Sequence, residues 1–277
     1  SMKCYISNFR SDKEIYNDIK LLIPDATMRR RMSNVLKRSV ATAVECMNGI
    51  DNIALLDAII TSSSLGLLAD SEKFLKNVVD NEEVLINPTP FIQSTFNTVG
   101  AQIALLKHNN CYNVTFVNRY HPFEDALLDA LFLIDDEKKN HFLIGHFDEV
   151  TPTLQTISKR FDLGDKNMVD DGSYFFHCTA QKSVDSIALL NMKLLSSRDY
   201  NDINSNMSEQ EKLMCFGAST ASPLVVENAY QNYNSFFPAS ATAFYNAVRK
   251  VVNEKIEMVL INKYPDNSVF VISVTNV

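Results

Sequence analysis

The sequence predicts an α/β fold. Two observations carry this: short apolar runs of strand length alternate with segments of helical period, and turn or cap residues punctuate nearly every transition. The order β-α-β-α favours a sheet covered by helices. The 277 residues are 46% hydrophobic, enough for one large domain or two fused halves.

In chain order, Thr27 can cap a helix whose apolar stripe runs Met28, Met32, Val35, Val40, Val44 and Met47 and closes at Gly49. Residues 57–61 form a short buried strand. Asp70 or Ser71 can cap a helix bearing Phe74, Leu75, Val78 and Val79. After a break at Pro88-Thr-Pro90, residues 97–107 predict a helix in which Gly100 and Ala101 permit close packing. Strands at 114–117 and 142–145 flank a helix at 123–134. The second half repeats the texture more briefly: a strand at 173–179, a helix at 223–231, a longer helix at 239–252, and strands at 258–261 and 269–274 turned by Pro265-Asp-Asn267. The polar, turn-rich run 196–208 is the best candidate for an internal loop.

Composition narrows the function. Only seven glycines occur, against about 19 at ordinary usage. No G-x-G or G-x-x-x-x-G-K run exists to bring backbone close to phosphate, so dinucleotide and P-loop nucleotide sites are excluded. With 33 acidic and 26 basic side chains the net charge is -7, which disfavours nucleic acid. The one basic cluster, Arg29, Arg30 and Arg31 with Lys37 and Arg38, is expected to form a solvated face or partner contact. No apolar run reaches the roughly 18 residues of a membrane span and no signal-peptide pattern opens the chain, so a cytoplasmic protein is expected. The cysteines (Cys4, Cys46, Cys111, Cys178, Cys215) and the histidines (His108, His121, His141, His146, His177) show no metal-ligand spacing. Neither a metal nor a cofactor is expected.

Several strings resemble β-ketoacyl synthases. Ala58-Ile-Ile-Thr-Ser-Ser-Ser-Leu-Gly66 with the helix that follows is similar to their strand–turn–helix segment. Residues 90–104 (PFIQSTFNTVGAQIA) resemble the helix at their dimer and pocket wall. Val114-Thr-Phe-Val with Ala126-Leu127 is similar to the strand and helix bracketing the nucleophile. His141-Phe-Leu-Ile-Gly145 followed by Asp148-Glu149 resembles their next strand, and residues 170–176 the first strand of the second half. The resemblance implies the thiolase fold: five layers, αβαβα, from two similar halves, in a shortened scaffold. It divides a single domain, 1–277, into an N-terminal half (1–165) and an abbreviated C-terminal half (166–277). The chain most resembles the chain-length-factor type.

A condensing enzyme of this kind uses a cysteine at a helix N-terminus, where the helix dipole and backbone N–H groups lower its pKa, and two histidines. The resemblance puts Tyr120 at the nucleophile, Phe216 and Phe237 at the histidines, and Asn232 at the lysine that commonly precedes the second. Residues 262–268 stand for the gating segment, without glycine. A phenol of ordinary pKa, about 10, cannot replace a thiolate as acyl carrier near neutrality. The weak surrogates are His121 with Glu124 as an acid–base pair, and Cys215 beside Phe216. Capping or partner contact is the plainer role for the pair, and a small buried hydrophobe for the cysteine. Nothing resembles a nucleophile elbow or an ordered Ser–His–Asp set.

These readings imply a catalytically degenerate, accessory subunit of fatty-acid, polyketide or aryl-polyene-type synthesis. It would pair with an active ketosynthase or with itself, with an acyl carrier protein as a further partner. The alternatives are a stand-alone acyl-binding or scaffold protein, or an acyl-thioester enzyme using other residues.

Overall fold

The computed structural model describes residues 2–81, 84, 86–137, 139–163, 167–206, 208, 224–227, 235 and 237–277. The strands are β1 (Met2–Ser11), β2 (Ala58–Ser63), β3 (Tyr112–Val117), β4 (His141–Asp148), β5 (Gly172–Thr179), β6 (Ala188–Ser196), β7 (Leu224–Glu227), β8 (Glu257–Lys263) and β9 (Ser268–Asn276). The helices are α1 (Ile19–Leu22), α2 (Ala26–Arg31), α3 (Asn34–Cys46), α4 (Leu68–Asp80), α5 (Pro88–Ser94), α6 (Thr98–Leu105), α7 (Pro122–Glu137), α8 (Pro152–Arg160), α9 (Ser197–Asn206) and, renumbered in sequence, α10 (Ser240–Glu254).

The nine strands among the described residues join one sheet in the order β3-β2-β4-β5-β1-β6-β9-β8-β7. Strands β2, β3 and β4 are parallel, as are β7 and β8; β5, β1, β6 and β9 continue antiparallel. Side chains alternate between two apolar faces. Ile60, Ile144, Phe176, Leu260 and Ile272 point to one core, shared with Phe123 and Leu127 of α7 and Phe244 and Val248 of α10. Ile59, Leu143 and Phe175 point the other way, onto α3 and α6. Val259, Val269 and Val271 meet Tyr200 and Ile203 of α9.

The sheet is strongly curled. Helix α7 packs on β2, β3 and β4, yet its Glu124 accepts a 2.7 Å hydrogen bond from Asn262 of β8. In a flat sheet β4 and β8, five strand spacings apart, would be separated by about 24 Å, twice the width of a helix. The sheet therefore wraps around α7 and α10. A section through the molecule crosses α3 and α6, sheet, α7 and α10, sheet, and α9: the five layers of the thiolase fold.

Local chemistry accounts for most boundaries and for the departures from expectation. The first helix divides in two. Asp25, not Thr27, caps α2, accepting from the N–H groups of Thr27 (2.8 Å) and Met28 (3.0 Å). Ser33, in extended backbone, then separates α2 from α3. Pro88 and Pro90 do not break the chain but open α5 behind the Asn87 cap, where a missing N–H costs nothing. The expected helix at 223–231 contains a strand, Leu224–Glu227, in parallel register with β8; its paired valines suit a pleated strand. The expected loop at 196–208 holds α9. Its start was legible as Ser196-x-x-Asp199: the Ser196 hydroxyl accepts from the Asp199 N–H at 3.1 Å. Strands β1 and β6, absent from the sequence reading, form the seam between the two parts of the sheet. Gly100 does permit a close approach: a Cβ there would stand 2.4 Å from Asn113 Oδ1 of β3.

Candidate functional site

A cavity of about 520 Å³ opens beyond the end of β3, with Arg119, Tyr120, Phe161, Leu163, Met168, Phe237, Pro238 and Pro265 in its wall. In open α/β sheets the carboxyl ends of parallel strands are the usual ligand side. Two of the sequence-predicted positions, Tyr120 and Phe237, thus converge on one space. Tyr120 is placed by an Asx turn: Asn118 Oδ1 accepts from the N–H groups of Tyr120 (3.1 Å) and His121 (3.0 Å). Asn118 Nδ2 in turn donates to Asp125 at 2.7 Å, fixing the entry to α7. Phe237 is placed by its N–H, which donates to the Met168 carbonyl at 2.8 Å. Cys215, Phe216 and Asn232 lie outside the described residues.

The expected pairing of His121 with Glu124 does not form. The two side chains leave the start of α7 in different directions. His121 presents Nδ1 to Asp125 at 3.0 Å and Nε2 to Asp266 of the β8–β9 turn at 2.8 Å. Burial of its ring opposes the charge, but hydrogen bonds to both carboxylates outweigh it and raise the pKa to about 9. Glu124 is fully buried and accepts from Ser240 (3.0 Å), Asn262 (2.7 Å) and the Tyr264 hydroxyl. Burial pushes its carboxyl above the ordinary value, against the three donors. It ties the start of α7 to α10 and β8 and is sealed from the cavity, so it is placed as a structural acid.

One arrangement went unread in the sequence. Ser62 of β2, His146 and Asp148 of β4 form a hydrogen-bonded line: Ser62 Oγ lies 2.9 Å from His146 Nδ1, and His146 Nε2 lies 3.0 Å from Asp148 Oδ2. It has the composition of a hydrolase triad but not its access, for all three residues are buried and Phe123 packs edge-on against the imidazole. Ser62 also donates to the Gly145 carbonyl at 2.9 Å. Asp148 accepts from Ser63 Oγ (2.8 Å) and from the N–H groups of Ser64 and Leu65 (both 3.1 Å), anchoring the turn between β2 and α4. No sequence signal finds it, because the serine and histidine meet only when β2 and β4 pair.

The described thiols are poor nucleophiles. Cys4, Cys46 and Cys178 are buried; burial pushes Cys46 up to about 12 and Cys111 above the usual thiol range. Among the described residues, no group of three or more His, Cys, Asp or Glu side chains could hold a metal ion, and no helix is long and apolar enough to cross a membrane.

Comparison with solved structures agrees with this architecture. The ishigamide ketosynthase/chain length factor aligns over 94% of this chain and 85% of that chain at 12% identity, with a TM-score of 0.69. A type II polyketide synthase acyl-carrier protein in complex with its ketosynthase bound to the hexaketide aligns over 100% of both chains at 10% identity and a TM-score of 0.74. A ketosynthase in complex with its chain length factor from Xenorhabdus doucetiae covers 99% of this chain and 100% of that chain at 16% identity and a TM-score of 0.60. At these identities the likeness establishes the fold. No curated protein matches the chain. Residues 11–163, more than half of the sequence, match the profile of the β-ketoacyl synthase N-terminal domain, and the chain belongs to that family.

Proposed function

We propose that the chain is a ketosynthase-like accessory subunit that does not itself condense acyl groups, pairs with a ketosynthase-fold partner, and lends its aromatic-walled cavity to a carrier-bound acyl chain. The observation that carries this reading is the convergence of Tyr120 and Phe237 on one cavity. Where the family resemblance calls for a thiolate and an imidazole, a phenol and a phenyl ring stand, and no cysteine is among the described residues of the wall. The cavity remains large and apolar enough to hold hydrocarbon. The structural neighbours include ketosynthases solved with a chain length factor or a carrier protein, which supports the same class of assembly here.

The sheet edge supports pairing. Among the described residues strand β3 bonds only to β2, so its outer edge there presents unpaired N–H and C=O groups. Exposed Tyr112 on the strand, Leu105 on α6 and Phe132 on α7 add apolar surface to the elements that form or pack against it. A ketosynthase-fold partner adding a strand at this edge would cover it.

The test is reconstitution. The chain alone is expected to give no product in a carrier-protein-dependent condensation assay. Mixed with a ketosynthase of its own pathway it should form a 1:1 complex by light scattering, and Phe237→Ala should shift product length. Condensation by the isolated chain, or a monomer indifferent to every such ketosynthase, would overturn the proposal.

A further inference from the structure

The cavity wall draws on distant parts of the chain, among them Tyr120 from the β3–α7 segment and Pro265 from the β8–β9 turn. The residues next to them are bonded together. His121 contacts Asp266 at 2.8 Å while its other ring nitrogen contacts Asp125 at 3.0 Å. Two carboxylate acceptors on one ring require two N–H donors, which only the imidazolium has. The ring is packed among Tyr264 (centroids 5.3 Å apart) and Phe270 (5.0 Å). The turn is braced internally as well. Asp266 Oδ1 accepts from the Ser268 N–H at 3.0 Å, and the Asn267 N–H donates to the Tyr264 carbonyl at 3.0 Å. The Tyr264 hydroxyl donates to buried Glu124.

We propose that His121 is a positioning residue whose imidazolium staples the β8–β9 turn to the start of α7, fixing Tyr120 and Pro265 relative to one another in the cavity wall. The aperture is then set by a charge pair built into the fold rather than by movement of the turn on ligand entry. Three features point this way: the turn has no glycine, the strand entering it is bonded to Glu124 of α7 through Asn262 and Tyr264, and the His121 carbonyl accepts from the Asp125 N–H at 3.0 Å, which makes His121 the N-cap of that helix. A cation at a helix N-terminus is unfavourable by itself, so its retention there depends on the carboxylates of Asp125 and Asp266. The groups facing the ring from the elements around it are Asp125 on α7, Asp266 and Tyr264 at the turn, and uncharged Phe270 on β9. Glu124, although adjacent, faces Ser240, Asn262 and Tyr264 instead.

The consequence for ligand size rests on the cavity reading above; the staple itself does not, and the experiment separates them. Hydrogen exchange on the full chain would be followed at the amides of Tyr264, Asp266, Asn267 and Ser268 in the wild type, His121→Gln, Asp266→Asn and the double variant. Each single variant should lose protection by about tenfold, and the double variant should lose no more than either. Wild-type protection should fall between pH 8 and 10, bracketing the value of about 9 for His121, and this step should be missing in Asp266→Asn. Unchanged protection in both single variants, or additive losses, would overturn the staple. In parallel, cis-parinaric acid fluorescence reads cavity occupancy, and the single variants should change its affinity several-fold. Absence of binding by the wild type would overturn the acyl-cavity reading, while exchange still decides the staple.

Discussion

Two histidines bonded to aspartates sit at the ends of neighbouring elements and do different work. His146, in line with Ser62 and Asp148, has the composition of a catalytic triad but is buried under Phe123 and serves the turn after β2. The His121 ring is bonded to two carboxylates, and its chain neighbour Tyr120 stands in the cavity wall. The difference teaches that access, not residue composition, separates a reactive constellation from a structural one. A serine already donating to a carbonyl in a closed core cannot reach a substrate, whatever its neighbours.

The largest expected effect breaks the buried member of this comparison. Asp148→Ala removes the acceptor for Ser63, for two backbone N–H groups and for His146, leaving buried donors unpaired. It should cost about 3 kcal/mol in urea unfolding. A loss below about 1 kcal/mol would mean that the turn is held by something else.

His121 should show a smaller, pH-dependent effect. Its folded-state pKa, about 9, lies above the ordinary 6.5. The stabilisation is therefore fully present below pH 6.5 and is lost as pH rises through 9. Because the site is partly exposed to solvent, the wild type should exceed His121→Gln by only about 1–2 kcal/mol at pH 6, and the two should converge by pH 10. A difference independent of pH would assign the effect to packing of the ring.

The smallest effect sharpens the comparison from the other side. Ser62→Ala should cost about 1 kcal/mol and leave pairing with a ketosynthase, cavity occupancy and any acyl-thioester turnover unchanged. Loss of an activity in this variant would make the buried line catalytic and overturn its structural assignment.

Much of the fold was readable because strands and helices announce themselves by period. Residues 58–61 and 142–145 are short apolar runs, and the stripe through Val40 and Val44 marks α3. The errors came where local signals compete: the polar composition of 196–208 outweighed the Ser196-x-x-Asp199 cap of α9, and Pro223 with Glu227 outweighed the valines of β7. Of the candidate site, the family resemblance named Tyr120 and Phe237, and both stand in the wall of one cavity; His121 and Glu124, offered as a surrogate pair beside the plainer capping or contact role, bond to different partners. Three residues apart at the beginning of a helix brings Cα atoms near but does not decide where the side chains point.

By itself the sequence determined the α/β class and the absence of a glycine-rich nucleotide loop. Tertiary structure decided the rest: that one curled sheet encloses α7 and α10, that Asp266 reaches His121 across 145 positions of chain, and that Ser62 finds His146 across 84. The physical reason is that periodicity and capping are written in neighbouring residues, whereas strand order and charge partners depend on which distant segments the packed core brings together.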